Sequence, residues 1–257
     1  MLGVSRPDRE QPATLPRDDP LTAAATHAIR AGDLDGLRRL LAEHLGLAVV
    51  PDAGDRESRT LLHVATDWPG HFPNGAATVA ALVRAGADVN ARFVGAHCET
   101  PLHWAASSDD VEILDALLDA GADIDADGAV IADGTPLTDA TAFGQWRTAR
   151  RLVERGAHAG LWEAATLGLL DRVDAVCAGD PAPTAQDVTG SFWGACHGGQ
   201  QATAEFLLDR GADINWVGWG GLTPLDAAER HGARDLADWL RAHGARSAKE
   251  HHDDEGE

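Results

Sequence analysis

The stretch Glu99–Ala126, ETPLHWAASSDDVEILDALLDAGADIDA, decides the fold. Thr100 is a good N-cap and Pro101 suits a first helical position, where no amide donor is needed. Leu102, Ala105 and Ala106 then share one face at helical spacing, and the two alanines let a second helix approach closely. After the polar break Ser107-Ser108-Asp109-Asp110, an apolar stripe of Val111, Ile113, Leu114, Leu117 and Leu118 predicts a second helix, which Gly121 ends in the left-handed conformation. The stretch is a helix-turn-helix unit.

The unit recurs, and its register can be followed by arithmetic. Asp109 precedes Gly121 by twelve residues, and the same interval links Gly144 to Gly156, Gly199 to Gly211 and Gly232 to Gly244. Endings read GADVN at 86–90, GADID at 121–125, GAHAG at 156–160 and GADIN at 211–215, while openings include TLLH at 60, TPLH at 100, TPLT at 135 and TPLD at 223. The TPLHxAA opening and the GAD(I/V)(N/D) ending resemble the ankyrin repeat, a turn plus two antiparallel helices of about 33 residues. The resemblance implies an all-α ankyrin-repeat solenoid of about seven helix-turn-helix units with short β-fingers. Repeats fall near 22–52, 59–90, 99–126, 134–159, 160–180, 187–216 and 221–245, within one domain over 21–246. The first and last of these should cap the array.

Two units depart from the pattern. The repeat from Arg59 carries an insertion between its helices, DWPGHFPN at 67–74, whose proline, glycine and aromatic content predicts an ordered loop. The fifth unit, GLWEAATLGLLDRVDAVCAGD, follows Gly156 almost at once, so its β-finger is shortened or absent. Weak stacking and fast amide exchange around 157–190 are expected there. Residues 1–20, rich in Pro, Asp and Arg, and the acidic tail 247–257 lack apolar periodicity and are expected to be disordered.

Composition excludes several classes of function. No apolar run approaches a membrane span, and the N-terminus has no signal-peptide core, which predicts a cytoplasmic protein. Cys98, Cys177 and Cys196 are odd in number and widely separated, which fits reduced thiols and defines no zinc pattern. A formal charge of −20 repels phosphate backbones and anionic lipid and speeds encounter with basic partners. Neither nucleic acid nor membrane is an expected partner. No cofactor or metal is expected, and the oligomeric state is left open. Arginine outnumbers lysine twenty to one, and with the alanine and glycine content this suggests a GC-rich, bacterial genome.

The resemblance places the concave surface on the β-fingers and the outer side of each first helix. Spacing puts Trp104 beside Ser107 and Ser108, away from Leu102 and Ala106. The same register position holds His27, Asp139, Glu163, Gly194 and Ala227, with Phe143, His197, Arg230 and His231 as neighbours. Finger positions add His97 and Glu99 before the third repeat, and Trp216, Trp219 and Leu222 before the last. Eight tryptophans without a tyrosine point to a contact surface, since tryptophan supplies large rigid area with one donor. The expected function is therefore binding of another protein, with a basic segment favoured by charge. The predicted partner-binding set is His97, Glu99, Trp104, Asp139, Phe143, Glu163, His197, Trp216, Trp219 and Leu222.

A second set reads as structural. By the resemblance, Thr100, Pro101, His63 and His103 steady the turns, and Gly86, Gly121, Gly156, Gly211 and Gly244 close the second helices. Trp162 and Trp193 stand where the TPLH histidine would be and fill space, while Trp146 and Trp239 are packing residues. The competing function is a small-molecule or catalytic pocket, with Asp139 and Glu163 as carboxylates, His197 as proton shuttle and tryptophan walls. Against it, stacked helices lie about 8–10 Å apart, and no nucleophile motif, phosphate loop or HExxH occurs. No enzyme is expected.

Overall fold

The computed structural model describes residues 15–49, 52–53 and 57–254. The chain forms two compact units, residues 1–136 and 137–257. The first holds β1 (Leu15–Pro16), α1 (Pro20–Ala31), α2 (Leu34–Glu43), β2 (Asp52–Ala53), β3 (Ser58–Arg59), α3 (Leu61–Thr66), α4 (Gly75–Arg84), α5 (Pro101–Ser107) and α6 (Val111–Asp119). β1 runs parallel to β2 and β2 antiparallel to β3, and Ser58 bridges Val94. The other fingers of this unit are irregular loops among the described residues.

Several helices start on a side-chain cap. Asp19 accepts from the Leu21 amide at 2.8 Å and Asp110 from that of Ile113 at 3.2 Å. At α3 and α5 the cap is a threonine–histidine pair: the Thr60 and Thr100 amides donate to Nδ1 of His63 and His103 at 3.2 and 3.1 Å. The ends of the second helices are more uniform. The Gly121 amide donates to Leu118 O and the Ala122 amide to Leu117 O, each at 3.0 Å, closing a Schellman motif with Gly121 at φ 93°. The same closure runs from Ala87 to Leu82, Ala157 to Leu152, Ala212 to Leu207 and Ala245 to Leu240. The twelve-residue interval therefore separates two left-handed residues, and Asp109 (φ 54°) takes the earlier one without being glycine. Asn74 (φ 59°) does the same twelve residues before Gly86, a match hidden in the sequence by its residue type.

Neighbouring pairs are tied by a further recurring contact. The Asn90 side chain, last in GADVN, donates to Gly121 O at 3.3 Å and accepts from the Asp123 amide at 2.8 Å. In the second unit Asn215 of GADIN holds Gly244 O and the Arg246 amide in the same way. The insertion 67–74 is an ordered loop that spans three helix pairs. Asp67 accepts from Arg30 and Arg59, Asn74 donates to Gly32 O, and the His71 amide donates to Asp110 at 2.7 Å. Buried Leu37, Leu62, Leu82, Leu102, Ile113, Leu114 and Leu117 fill the core beneath.

The second unit holds α7 (from Pro136, Pro136–Ala142), α8 (Trp146–Glu154), α9 (Leu161–Thr166), α10 (Leu170–Cys177), α11 (Ala185–His197), α12 (Gln201–Leu208), a 3-10 turn Trp219–Gly221, α13 (Pro224–Arg230), α14 (Arg234–Ala242) and α15 (Ala248–Asp254). One core joins Ala164, Ala165, Val173, Phe192, Cys196, Leu207, Leu225, Leu236 and Leu240. The fifth unit is thus well stacked, against the expectation of a weak point. α11 begins at Ala185, behind a Thr184–Asp187 capping box, and its thirteen residues cover α9. Gly194 and Gly198 let α9 approach so closely that a side chain at either would meet Thr166. The finger is short because Gly160 leads straight into α9, and the longer α11 replaces the lost contact.

The termini also differ from expectation. Residues 15–20 already contain β1 and the Asp19 cap, and 248–254 form a helix opened by a Ser247–Glu250 capping box, with the Ala248 amide on Asp226. Residues 1–14 and 255–257 lie outside the described residues. Hydrogen exchange should show the amides of 164–166 as slow as those of 192–196; exchange as fast as in the 178–183 loop would contradict this packing.

Candidate functional site

The predicted contact residues of the first unit gather into one cluster. His97 stacks on Phe93 with ring centroids 4.7 Å apart, and its Nδ1 lies 2.8 Å from Glu99 Oε2. The same Glu99 oxygen accepts the Trp104 indole N–H at 2.8 Å, and Trp104 meets the His63 ring edge-on at 5.0 Å. Glu99 is buried, contrary to its reading as a finger contact, because its carboxylate is the hub that orients His97 and Trp104. Trp104 and His97 are half-buried. Trp68, which the pattern of repeats did not single out, is 78% exposed on the pinned insertion.

The second unit builds a larger aromatic assembly. Trp193, only 5% exposed, stacks on Trp162 at 5.9 Å and on His197 at 5.3 Å. Trp219 stands edge-on to Trp162, Trp193 and Trp216 at 4.6, 5.1 and 5.3 Å. His197 meets His231 at 4.3 Å and Trp146 at 5.4 Å. Glycines make the room: a Cβ at Gly194 would strike the Trp162 ring, and one at Gly218 the rings of Trp216 and Trp193. The outer edge is open. Trp219 is 48% exposed, while Trp216, Trp162 and Leu222 are half-buried; Phe143, just after α7, is 49% exposed.

Trp193 also takes over a histidine's task. His63 Nε2 lies 3.2 Å from Glu99 O, the carbonyl just before the cap threonine Thr100, and His103 Nε2 3.4 Å from Gly134 O, which precedes Thr135. The Trp193 indole donates to Leu222 O at 2.9 Å, just before Thr223. The cap itself is served there by Asp226, whose Oδ2 accepts from the Thr223 amide and hydroxyl at 2.9 and 2.8 Å. Trp193 is thus a link between units, beyond filling space.

The polar trio of the pocket hypothesis is not assembled as a reaction centre. Asp139 is fully buried, since α7 packs nearly all round and turns Leu137, Ala140 and Thr141 inward as well. His197 is buried with Nε2 at 3.1 Å from Thr141 O, so it cannot shuttle protons to a groove. Glu163 is half-buried and accepts from the Thr138 hydroxyl at 2.8 Å. Among the described residues no group of three or more His, Cys, Asp or Glu could hold a metal ion. Nor is any helix there long and apolar enough to cross a membrane.

Residues 71–163 match the family model of ankyrin repeats in three copies, so this chain carries ankyrin repeats. Such repeats generally mediate protein–protein interaction and are typically non-catalytic. Comparison with curated proteins finds no match.

Burial sets the titration of His63 and His197. Desolvation lowers His63 and His197 from 6.5 to about 4, with the neighbouring His231 a further cause for His197. Nδ1 of His63 accepts from the Thr60 amide, so its neutral ring carries the proton on Nε2 and donates to Glu99 O. Between pH 6.5 and 4 the unfolded chain binds protons that these folded rings refuse. Stability is therefore complete above 6.5 and falls by about 3 kcal/mol per histidine as the pH drops towards 4. Denaturant titrations at pH 7 and 5 should differ accordingly, and His197→Gln should show the shallower dependence; equal pH dependence would exclude His197 as a contributor.

Proposed function

We propose that the protein binds another protein through the aromatic edge of its second unit, formed by Trp219, Trp216, Trp162, Phe143 and Leu222. Half of Trp219 is exposed although three other tryptophans crowd behind it, and this observation carries the reading. A tryptophan held rigid by its neighbours loses little entropy on contact, the property of an interface anchor. The net charge of −20 favours a basic segment, whose arginine or lysine can stack on the exposed indole. In the first unit Trp104 and His97, oriented by Glu99, and the exposed Trp68 offer secondary contacts. Three free cysteines, one of them exposed Cys98, support a reducing, cytoplasmic setting, and the composition a bacterial one.

The test is capture from a bacterial lysate on immobilised wild-type protein, Trp219→Ala and Trp239→Ala, all checked for fold by circular dichroism. Trp219→Ala should weaken the specific partner by about 2 kcal/mol or more, roughly thirtyfold, with its melting temperature little changed. Partner retention by Trp219→Ala at wild-type affinity would refute the assignment.

A further inference from the structure

The Glu99 carboxylate of the first unit is buried without a full set of partners. It is 5% exposed, and among the described residues no arginine or lysine reaches it. Arg92, on the same finger, turns instead to Asp127 at 2.7 Å and to the Cys98 carbonyl at 3.1 Å. Oε2 of Glu99 accepts the Trp104 indole N–H at 2.8 Å. His97 Nδ1 stands equally close to that oxygen but out of hydrogen-bond alignment, and His97 carries charge only when protonated. Oε1 has no donor among the described residues, and it is not sealed from solvent as His97 Nδ1 is. A carboxylate loses much of its hydration at such a place, and an opposite charge or a donor on each oxygen is what offsets that loss.

Aromatic rings stand beside this carboxylate. Phe93 stacks on His97 at 4.7 Å with 21° between the planes, and it is tilted against Trp104 at 5.6 Å. Phe93 is 5% exposed and a side chain at Gly95 would strike its ring, so it backs the other two. Trp104 and His97 are half-buried and keep an open side. An indole face attracts a cation within about 6 Å of its centroid, and a carboxylate oxygen adds a charge-assisted hydrogen bond. A metal ion does not suit the arrangement, since no group of three His, Cys, Asp or Glu gathers there among the described residues. One open oxygen beside aromatic surface suits one N–H of a guanidinium or ammonium group, with the rest of that group against the rings.

We propose that Glu99, Trp104 and His97 seat the cationic end of an arginine or lysine side chain presented by a protein partner. The inference rests on the protein-binding reading for the source of that side chain, and it gives the first unit a specific receptor for positive charge. The net charge of −20 draws a basic segment in, and the seat selects one residue of it.

The Trp104 indole N–H, followed by nitrogen-15 spectroscopy of the full chain and assigned with Trp104→Phe, reports on the seat directly. The probes are blocked tripeptides with a central arginine, lysine or citrulline between glycines, at constant ionic strength. The arginine or the lysine peptide should shift this resonance saturably, at about millimolar concentration. Which of the two binds more tightly separates guanidinium from ammonium. The citrulline peptide, nearly the same shape without charge, should bind at least about tenfold more weakly than the arginine peptide if guanidinium is the ligand. Glu99→Gln keeps an acceptor for the indole and removes the charge, and it should lose about tenfold or more. Glu112→Gln makes the same change at an exposed position on α6 and should bind like wild type. The proposal fails if neither charged peptide saturates wild type, if citrulline matches the tighter of them, or if Glu112→Gln loses as much as Glu99→Gln. It fails equally if a folded Glu99→Gln binds like wild type; were that variant unfolded, the comparison of peptides on wild type would still decide. These readouts need no partner protein and no residue of the second unit, so failure here and failure of the Trp219 assignment are distinguishable.

Discussion

A single hydrogen bond recurs through this structure, from a ring N–H to the backbone carbonyl that precedes the threonine before a later helix. His63 with Glu99 O, His103 with Gly134 O and Trp193 with Leu222 O are its three examples. Each of these carbonyls also accepts a backbone amide, from Phe93, Ala129 and Gly218 respectively, so the ring N–H supplies a second hydrogen bond of about 1 kcal/mol. The link also fixes where the next helix starts. Within each compact unit it ties one helix pair to the next, which local propensity alone does not do. The Asn90 and Asn215 side chains provide a similar tie at the opposite end of the pair.

The exchange of histidine for tryptophan at residue 193 has consequences for function. An indole reaches the same carbonyl but brings a far larger ring, and the surroundings adapt through Gly194 and Gly218, where a side chain would collide with Trp162 or Trp216. The result is a buried stack of Trp162, Trp193 and His197, on which Trp219 is held edge-on at the surface. Structural and contact roles are thus divided among tryptophans that look alike in sequence. The first unit divides them differently, with buried Glu99 as the hub between His97 and Trp104.

Much of the fold was legible because backbone geometry demanded particular residues. Glycine in a left-handed helix end and threonine–proline at a helix start are visible in the chain, and their spacing fixed the register even where Trp193 replaced histidine. Asn74 escaped notice because asparagine adopts the same backbone without announcing it. The candidate contacts were less legible. Position on a helix wheel put Asp139 at the groove, yet α7 is short and enclosed nearly all round, so no outer face exists for it. His197 and Glu99 are likewise drawn inward by partners 56 and 5 residues away, Thr141 and Trp104. Trp219 was found because it lies on a glycine-rich finger, whereas its union with Trp162 and Trp193 depends on packing between units.

The division of labour between Trp193 and Trp219 can be measured without knowing any partner. Exchange of indole N–H protons with water, resolved by nitrogen-15 spectroscopy and assigned by single Trp→Phe replacements, reports each ring separately. Trp193, bonded to Leu222 O and buried, should exchange slowly, and Trp219 rapidly. Fast exchange at both positions would contradict the link, and protection of Trp219 would contradict the exposed anchor.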